Sequence, residues 1–240
     1  MKAQPIRDVN WTAARDIRRE LESETKDALI AAARSVFLSK GFDGATIGEI
    51  AAVAEVSRPT FYVYFATKSE MFRVVASRLR DELLDAHHHP RSVADDPVVL
   101  SRASVEAFVG LYVENIELLD EVAKQSTSDP VVATLLDEMV GKPFRRTHRH
   151  IIRLREAGDA HPIVNEQYVA HLMRAVNIDA AGEVRKHPEL KEFYIDQATR
   201  AYLAMIGYTG DMSKLRISPD ESRIVEEDAR EDAGSELVVD

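Results

Sequence analysis

Between Ser57 and Lys68 the chain reads SRPTFYVYFATK, with Arg58 and Lys68 near its ends, hydroxyl and aromatic side chains between them, and no carboxylate. The protein as a whole has 41 acidic against 31 basic residues, a formal net charge of −10. A stretch cleared of negative charge in such a chain suits contact with a polyanion. Hydroxyls and a lysine donate to phosphate oxygens, and an arginine can give two parallel hydrogen bonds to a guanine edge. Phe61 and Phe65, four apart, fall on one face of a helix, whereas Pro59, Thr60, Tyr62 and Val63 are rotated away from it.

The elements that must hold this stretch can be read from their punctuation. From Thr25 to Lys40, Leu29, Ala33, Val36 and Phe37 recur at helical spacing and Gly41 follows, which predicts an amphipathic helix with a carboxy-terminal stop. Thr46 and Glu49 form a capping box that opens a second, two-turn helix. Ser57 is placed as the N-cap of a third, with Pro59 in its first turn, running to about Phe65. Two short helices joined by a turn of about three residues, the second bearing hydroxyl, aromatic and basic groups, make a helix-turn-helix.

The run ALIAAARSVFLSKGFDGATIGEIAAVAEVSRPTFYVYFATKSEMF resembles the tetracycline-repressor (TetR) family of transcriptional regulators in order and without gaps. The resemblance implies that Arg58, Pro59, Thr60 and Val63 face bases and that Thr46, Tyr62, Tyr64 and Lys68 face phosphates of a palindromic double-stranded DNA operator. It also implies a homodimer and a small-molecule effector of unknown identity. One departure from the family is Glu55, where a glycine is usual; a left-handed backbone there costs a non-glycine residue about 1–2 kcal/mol.

Composition sets the wider frame. Ten glycines, nine prolines and long Ala/Leu/Glu/Arg runs predict an all-α protein: an amino-terminal helix-turn-helix domain and a larger helical domain for ligand and dimer. The divisions expected are an arm over 1–24, the DNA-binding module over 25–69, the ligand and dimerisation domain over 70–212 and an acidic mobile tail over 213–240. Lysine and arginine balance aspartate and glutamate over 1–85, so the negative charge lies downstream, and the first third is least repulsive to DNA. In the arm, Arg15, Arg18 and Arg19 are candidates for phosphate or minor-groove contact, set against a mixed-charge helix.

Downstream, Thr67 caps a long helix to about Ala86, the mechanical link to the body; further helices are expected near 97–115, 117–125, 130–156, 165–185 and 189–212. Phe108, Tyr112, Asn115, Phe144, His148, Met173 and Asn177 mix apolar walls with few polar groups, the composition of a small-molecule pocket. Leu172, Ala175, Val176, Ala198, Ala201, Tyr202 and Met205, at helical spacing, are candidates for a four-helix dimer interface, with packing inside one chain as the alternative.

Other chemistry finds little support. Zero cysteines exclude thiol catalysis and disulfides, and with no signal-peptide-like or membrane-spanning run the expectation is a cytoplasmic protein without membrane contact. No cofactor, metal or catalytic residue is expected. A helical metal-dependent enzyme would need His148, His150 and carboxylates such as Asp137 or Glu138, but no HExxH or paired Glu-x-x-His motif is present. His87, His88 and His89 are consecutive and cannot all converge on one ion from a helix end. The run RRTHRH at 145–150 with Arg153 and Arg155 is either an anion-receiving face or a solvated one. An effector-independent DNA-binding protein is the remaining alternative; such proteins are normally strongly basic.

Overall fold

The computed structural model describes residues 11–86, 89–90, 93 and 95–215, without the side chains of 11–19. Helix α1 spans Trp11–Gly44, α2 Ile47–Val53, α3 Arg58–Tyr64, α4 Lys68–Asp85, α5 Pro97–Ser126, α6 Pro130–Ala157, α7 Glu166–Lys186 and α8 Lys191–Met205; a 3₁₀ turn, Pro188–Leu190, precedes α8. The expected all-α class holds, and an isolated bridge between Ala160 and Tyr208 is the only β pairing among the described residues.

Local sequence rules set most of these ends. Thr46 and Glu49 exchange bonds as a full capping box, Glu49 N–H to Thr46 Oγ1 at 3.2 Å and Thr46 N–H to Glu49 Oε2 at 3.1 Å. The hydroxyl of Ser57 accepts from Thr60 N–H at 3.2 Å, and that of Thr67 from Glu70 N–H at 3.0 Å. Asp96, Asp129 and Asn165 cap α5, α6 and α7 in the same way. Gly158 ends α6 in the left-handed conformation, φ 84°.

Three expectations are corrected. The first helix begins at Trp11 rather than Thr25, because Thr25 is an interior residue whose hydroxyl bonds back to the Leu21 carbonyl at 2.9 Å. Helices expected at 97–115 and 117–125 are one rod: Asn115 turns its amide onto the Leu111 carbonyl at 2.9 Å and leaves the ladder unbroken. The last helix stops at Met205 rather than running to 212, because Gly207 takes φ 61° and the chain folds back. There His161 N–H bonds Gly207 O at 3.1 Å and Thr209 N–H bonds Asp159 O at 3.0 Å. A Cβ at Gly207 would collide with the His161 carbonyl. Most of the acidic tail lies outside the described residues; its first residues, 213–215, lie against the body, with Leu215 buried.

Two interiors result. The lower one gathers Leu29, Phe37, Ile50, Phe61, Phe65, Phe72 and Leu79 with Leu118 and Val122 of α5 and Val132, Leu135 and Met139 of α6. The upper one gathers Val98, Val105 and Val109 of α5 and Ile151 and Leu154 of α6 with Val169, Met173, Ile195, Tyr202 and Leu203. Helices α5 and α6 run through both. At the seam, Asn115 Oδ1 accepts from the Arg34 guanidinium at 2.6 Å while the same guanidinium holds Glu82 at 2.6 Å, joining α1, α4 and α5. Pro143, which cannot donate to the carbonyl four residues back, lies in α6 between its two buried stretches.

Candidate nucleic-acid interface

Phe61 and Phe65, 0% and 2% exposed with ring centroids 5.7 Å apart, anchor α3 in the lower interior. The opposite side of the helix is open: Arg58 and Pro59 are exposed, Tyr62 is 48% and Val63 78% exposed. Val63 thus leaves an apolar group in water on a short helix anchored from behind, available for contact. At about 1.5 Å per residue α3 is roughly 10 Å long, short enough to enter a major groove about 12 Å wide.

The turn ahead of α3 carries the one non-glycine residue with positive φ among the described residues, Glu55 at 56°. Val56 N–H reaches back to Ala51 O at 2.9 Å and Glu55 N–H to Ala52 O at 3.1 Å, so the α2 end closes as it would around a glycine, with the strain retained.

Of the positions expected to touch DNA, Arg58, Pro59, Tyr62 and Val63 share the open side, and the others are differently occupied. Thr60 is half-buried and its hydroxyl lies 2.7 Å from that of Ser57, inside the α3 cap. Thr46 is exposed, but its hydroxyl and backbone N–H both go to Glu49, whose carboxyl is held below its usual range first by Lys40 and then by Thr46. Tyr64 is half-buried against the lower interior. Lys68 turns inward, donating to the carbonyls of Phe42 at 2.6 Å and Ala45 at 2.8 Å with its ammonium 4.4 Å from the Phe42 ring centre. Two of its three donors are therefore spent on the last turn of α1 and the link to α2. Lys26, not singled out by the sequence, sits 5.9 Å over the Phe65 ring. The side chains of Arg15, Arg18 and Arg19 lie outside the described residues.

Residues 29–75 match the family described as bacterial regulatory proteins, tetR family. The amino-terminal part of the chain thus carries the module of that family. Among its curated relatives, the HTH-type transcriptional activator FasR of Mycolicibacterium smegmatis is 35% identical over 85 residues, which is 35% of this chain and 39% of FasR. The HTH-type transcriptional repressor BepR of Brucella suis biovar 1 is 32% identical over 94 residues, 36% of this chain and 44% of BepR. The chain thus matches less than half the length of either. Two solved structures extend the likeness of fold. A transcriptional regulator from Rhodococcus sp. Rha1 has TM-score 0.61 at 23% identity, covering 75% of this chain and 95% of that one. A bacterial regulatory protein in the tetR family from Rhodococcus RHA1 has TM-score 0.61 at 21% identity, covering 78% and 98%. Members of this family are regulators rather than enzymes.

The helical body places the other candidates unevenly. Asn115 is fully buried, but both ends of its amide are engaged, one by Arg34 and one by Leu111, so it is a joint between elements and not a pocket wall. Phe108 and Tyr112 stack at 5.6 Å. Phe144 lies 6.4 Å from His148 and 4.3 Å from His171, a neighbour that sequence spacing did not single out. Met173 is core, and Asn177 has a buried Oδ1 with no partner. His150 Nε2 and the Tyr202 hydroxyl are likewise buried and unpartnered, their rings stacked at 6.5 Å. Burial, and then Arg153, pulls His150 down to about 4, and burial pushes the Tyr202 phenol up.

Of the dimer candidates, Ala198 and Tyr202 are buried in the upper interior of a single chain, in keeping with the alternative of packing inside one chain. Leu172, Val176, Ala201 and Met205 are half-buried and Ala175 is exposed. No group of three or more histidines and carboxylates able to hold a metal occurs among the described residues, and Glu138 is paired with Arg80 and Lys142. His87 and His88 lie outside the described residues, and His89 Nε2 is 3.3 Å from the Ser104 hydroxyl. No described helix is long and apolar enough to cross a membrane.

Proposed function

We propose that the chain is a homodimeric, sequence-specific DNA-binding regulator of transcription, acting in the cytoplasm as a repressor released by a small molecule. The observation that carries this reading is the open side of α3, where Arg58, Pro59, Tyr62 and Val63 stand out from two fully buried phenylalanines. Arg58 donates to a guanine edge, Val63 packs on a thymine methyl and the Tyr62 hydroxyl donates to a phosphate. One such helix holds a half-site weakly. Two half-sites read together require a two-fold dimer, and the small and apolar side chains of α7 and α8 that are exposed or half-buried, Leu172, Ala175, Val176, Ala201 and Met205, supply its face.

The reading puts the effector in the upper interior, supported by the unpartnered His150 Nε2, Asn177 Oδ1 and Tyr202 hydroxyl, which give a ligand polar groups to satisfy within apolar walls. A ligand that prefers the DNA-incompetent arrangement by about 2.7 kcal/mol lowers operator affinity about a hundredfold. FasR is named an activator and BepR a repressor, so both directions of control occur among the relatives.

The test is selection of bound genomic DNA with the wild-type protein, followed by titration of the selected duplex with Tyr62→Ala. The expected result is a palindromic site, bound by a dimer and lost in the variant with helix content unchanged. Retention of full affinity in Tyr62→Ala, or a monomer that binds no enriched sequence, overturns it.

A further inference from the structure

Most cations of the described chain are spoken for: Arg34, Lys40, Arg73, Arg78, Arg80, Arg102, Lys124, Lys142, Arg155, Arg185, Lys186 and Lys214 each lie beside a carboxylate. Arg145, Arg149 and Arg153 do not. They are exposed on three successive turns of α6, and among the described residues no carboxylate comes within ion-pair distance of them. The polar contact made within the stripe, Arg149 Nε to the Arg145 carbonyl at 3.3 Å, leaves the terminal amines facing water. Like charges at i and i+4 repel, so three in a row on one helix of a protein with net charge −10 is a surface that gains from an anionic partner.

The same chain contains that partner. Residues 216–240 hold nine carboxylates and three arginines, and five of the carboxylates fall in the seven residues EEDARED at 226–232. We propose that this acidic segment lies along the Arg145–Arg149–Arg153 face of its own subunit. The root of the segment is fixed close by: Leu215 is buried, its carbonyl accepts from Arg200, and the neighbouring segment 207–209 is bonded to residues 159–161 just beyond the end of α6. The ten residues 216–225 reach roughly 33 Å when extended, and the stripe is about 12 Å long. Tethering raises the local concentration of the segment to the millimolar range, enough for exposed ion pairs of modest strength to hold it. The reading head competes poorly, because Arg58 and Lys26 are its only described cations turned neither to a carboxylate nor to a carbonyl. In this position the segment screens the stripe from nucleic-acid phosphates, and binding without sequence preference is suppressed. The contact holds whether or not α3 reads an operator.

The test uses the full chain with Arg149→Lys and Arg153→Lys, which keep the charge and supply amines for a zero-length carbodiimide. Cross-links from the carboxylates of 226–232 to the two introduced amines are expected in at least several-fold excess over those to Lys26 and Lys191, and they should disappear in 0.5 M salt. They should persist when an isotopically labelled variant is diluted tenfold with unlabelled chains. An even spread over all surface lysines overturns the proposal, and loss on dilution places the segment on a partner subunit and overturns the same-chain contact. A second measurement is retention of random-sequence duplex DNA. Neutralising Glu226, Glu227, Asp228, Glu231 and Asp232 to their amides should tighten it and steepen the logarithmic salt slope by up to about 2.7, the value for three phosphates. Adding Arg145→Gln, Arg149→Gln and Arg153→Gln should abolish that gain, and a gain that survives these changes also overturns the proposal.

Discussion

Replacing Lys68 by methionine separates two roles for one side chain. The substitution keeps the stem and removes the ammonium, which donates to Phe42 O at 2.6 Å and Ala45 O at 2.8 Å and lies over the Phe42 ring. Hydrogen bonds from a charged donor contribute about 1.5–3 kcal/mol each, and a cation over a ring about 0.5–2 kcal/mol. The terms are not additive and Lys68 is only half-buried, so water recovers part of the loss at both carbonyls. A net destabilisation of about 2–3 kcal/mol is expected, seen as a lower urea midpoint with an unchanged slope and a melting temperature roughly 5–10 °C lower. Amide exchange should quicken first at Phe42–Thr46, where the clamp acts. Operator affinity, measured where the variant remains folded, should fall less than in Tyr62→Ala. An unaltered midpoint combined with lost DNA binding would refute the clamp and return Lys68 to the phosphate-facing role that the family resemblance implies.

Glu55→Gly should raise stability by about 0.5–1 kcal/mol, because glycine adopts the observed φ of 56° without a Cβ penalty and repays part of the gain in chain entropy; denaturant titration reads this directly. His150 is held near 4 by burial against an unfolded value of 6.5, so the unfolded chain binds the extra proton as pH falls below about 6.5. Stability should therefore decline from pH 6.5 towards pH 4, by up to about 3 kcal/mol from this group, and level off below. His150→Phe should flatten that part of the profile; an identical pH dependence in the variant would show that the imidazole is solvated in solution.

What could be read from the sequence was whatever depends on near neighbours. The Thr46–Glu49 box, the Ser57 cap with Pro59 behind it, and the outward turn of Tyr62 and Val63 opposite Phe61 and Phe65 all follow from residues within one or two turns, and the structure contains each of them. The strained Glu55 is legible only through the family resemblance, which places a glycine at that turn, and the observed φ of 56° agrees with it. Long-range destinations were not legible. Nothing near Lys68 says that its ammonium will meet carbonyls 23 and 26 residues back, and Asn115 reads as a pocket residue until Arg34, 81 positions away, is seen to claim it. Ala198 and Tyr202 show the same limit from another side: a periodic stripe tells which face of a helix is buried, not whether the burying surface is its own chain or a second copy.

Because α5 and α6 contribute to both interiors, the head cannot be cut from the body at a linker. A fragment ending near residue 69 would strip the lower interior of Phe72, Val75, Leu79, Leu118, Val122 and Leu135 and leave its remaining phenyl rings bare. The two halves are thus thermodynamically one object: melting should be a single event, and a change of shape begun at either end must bend the shared rods or tilt them whole.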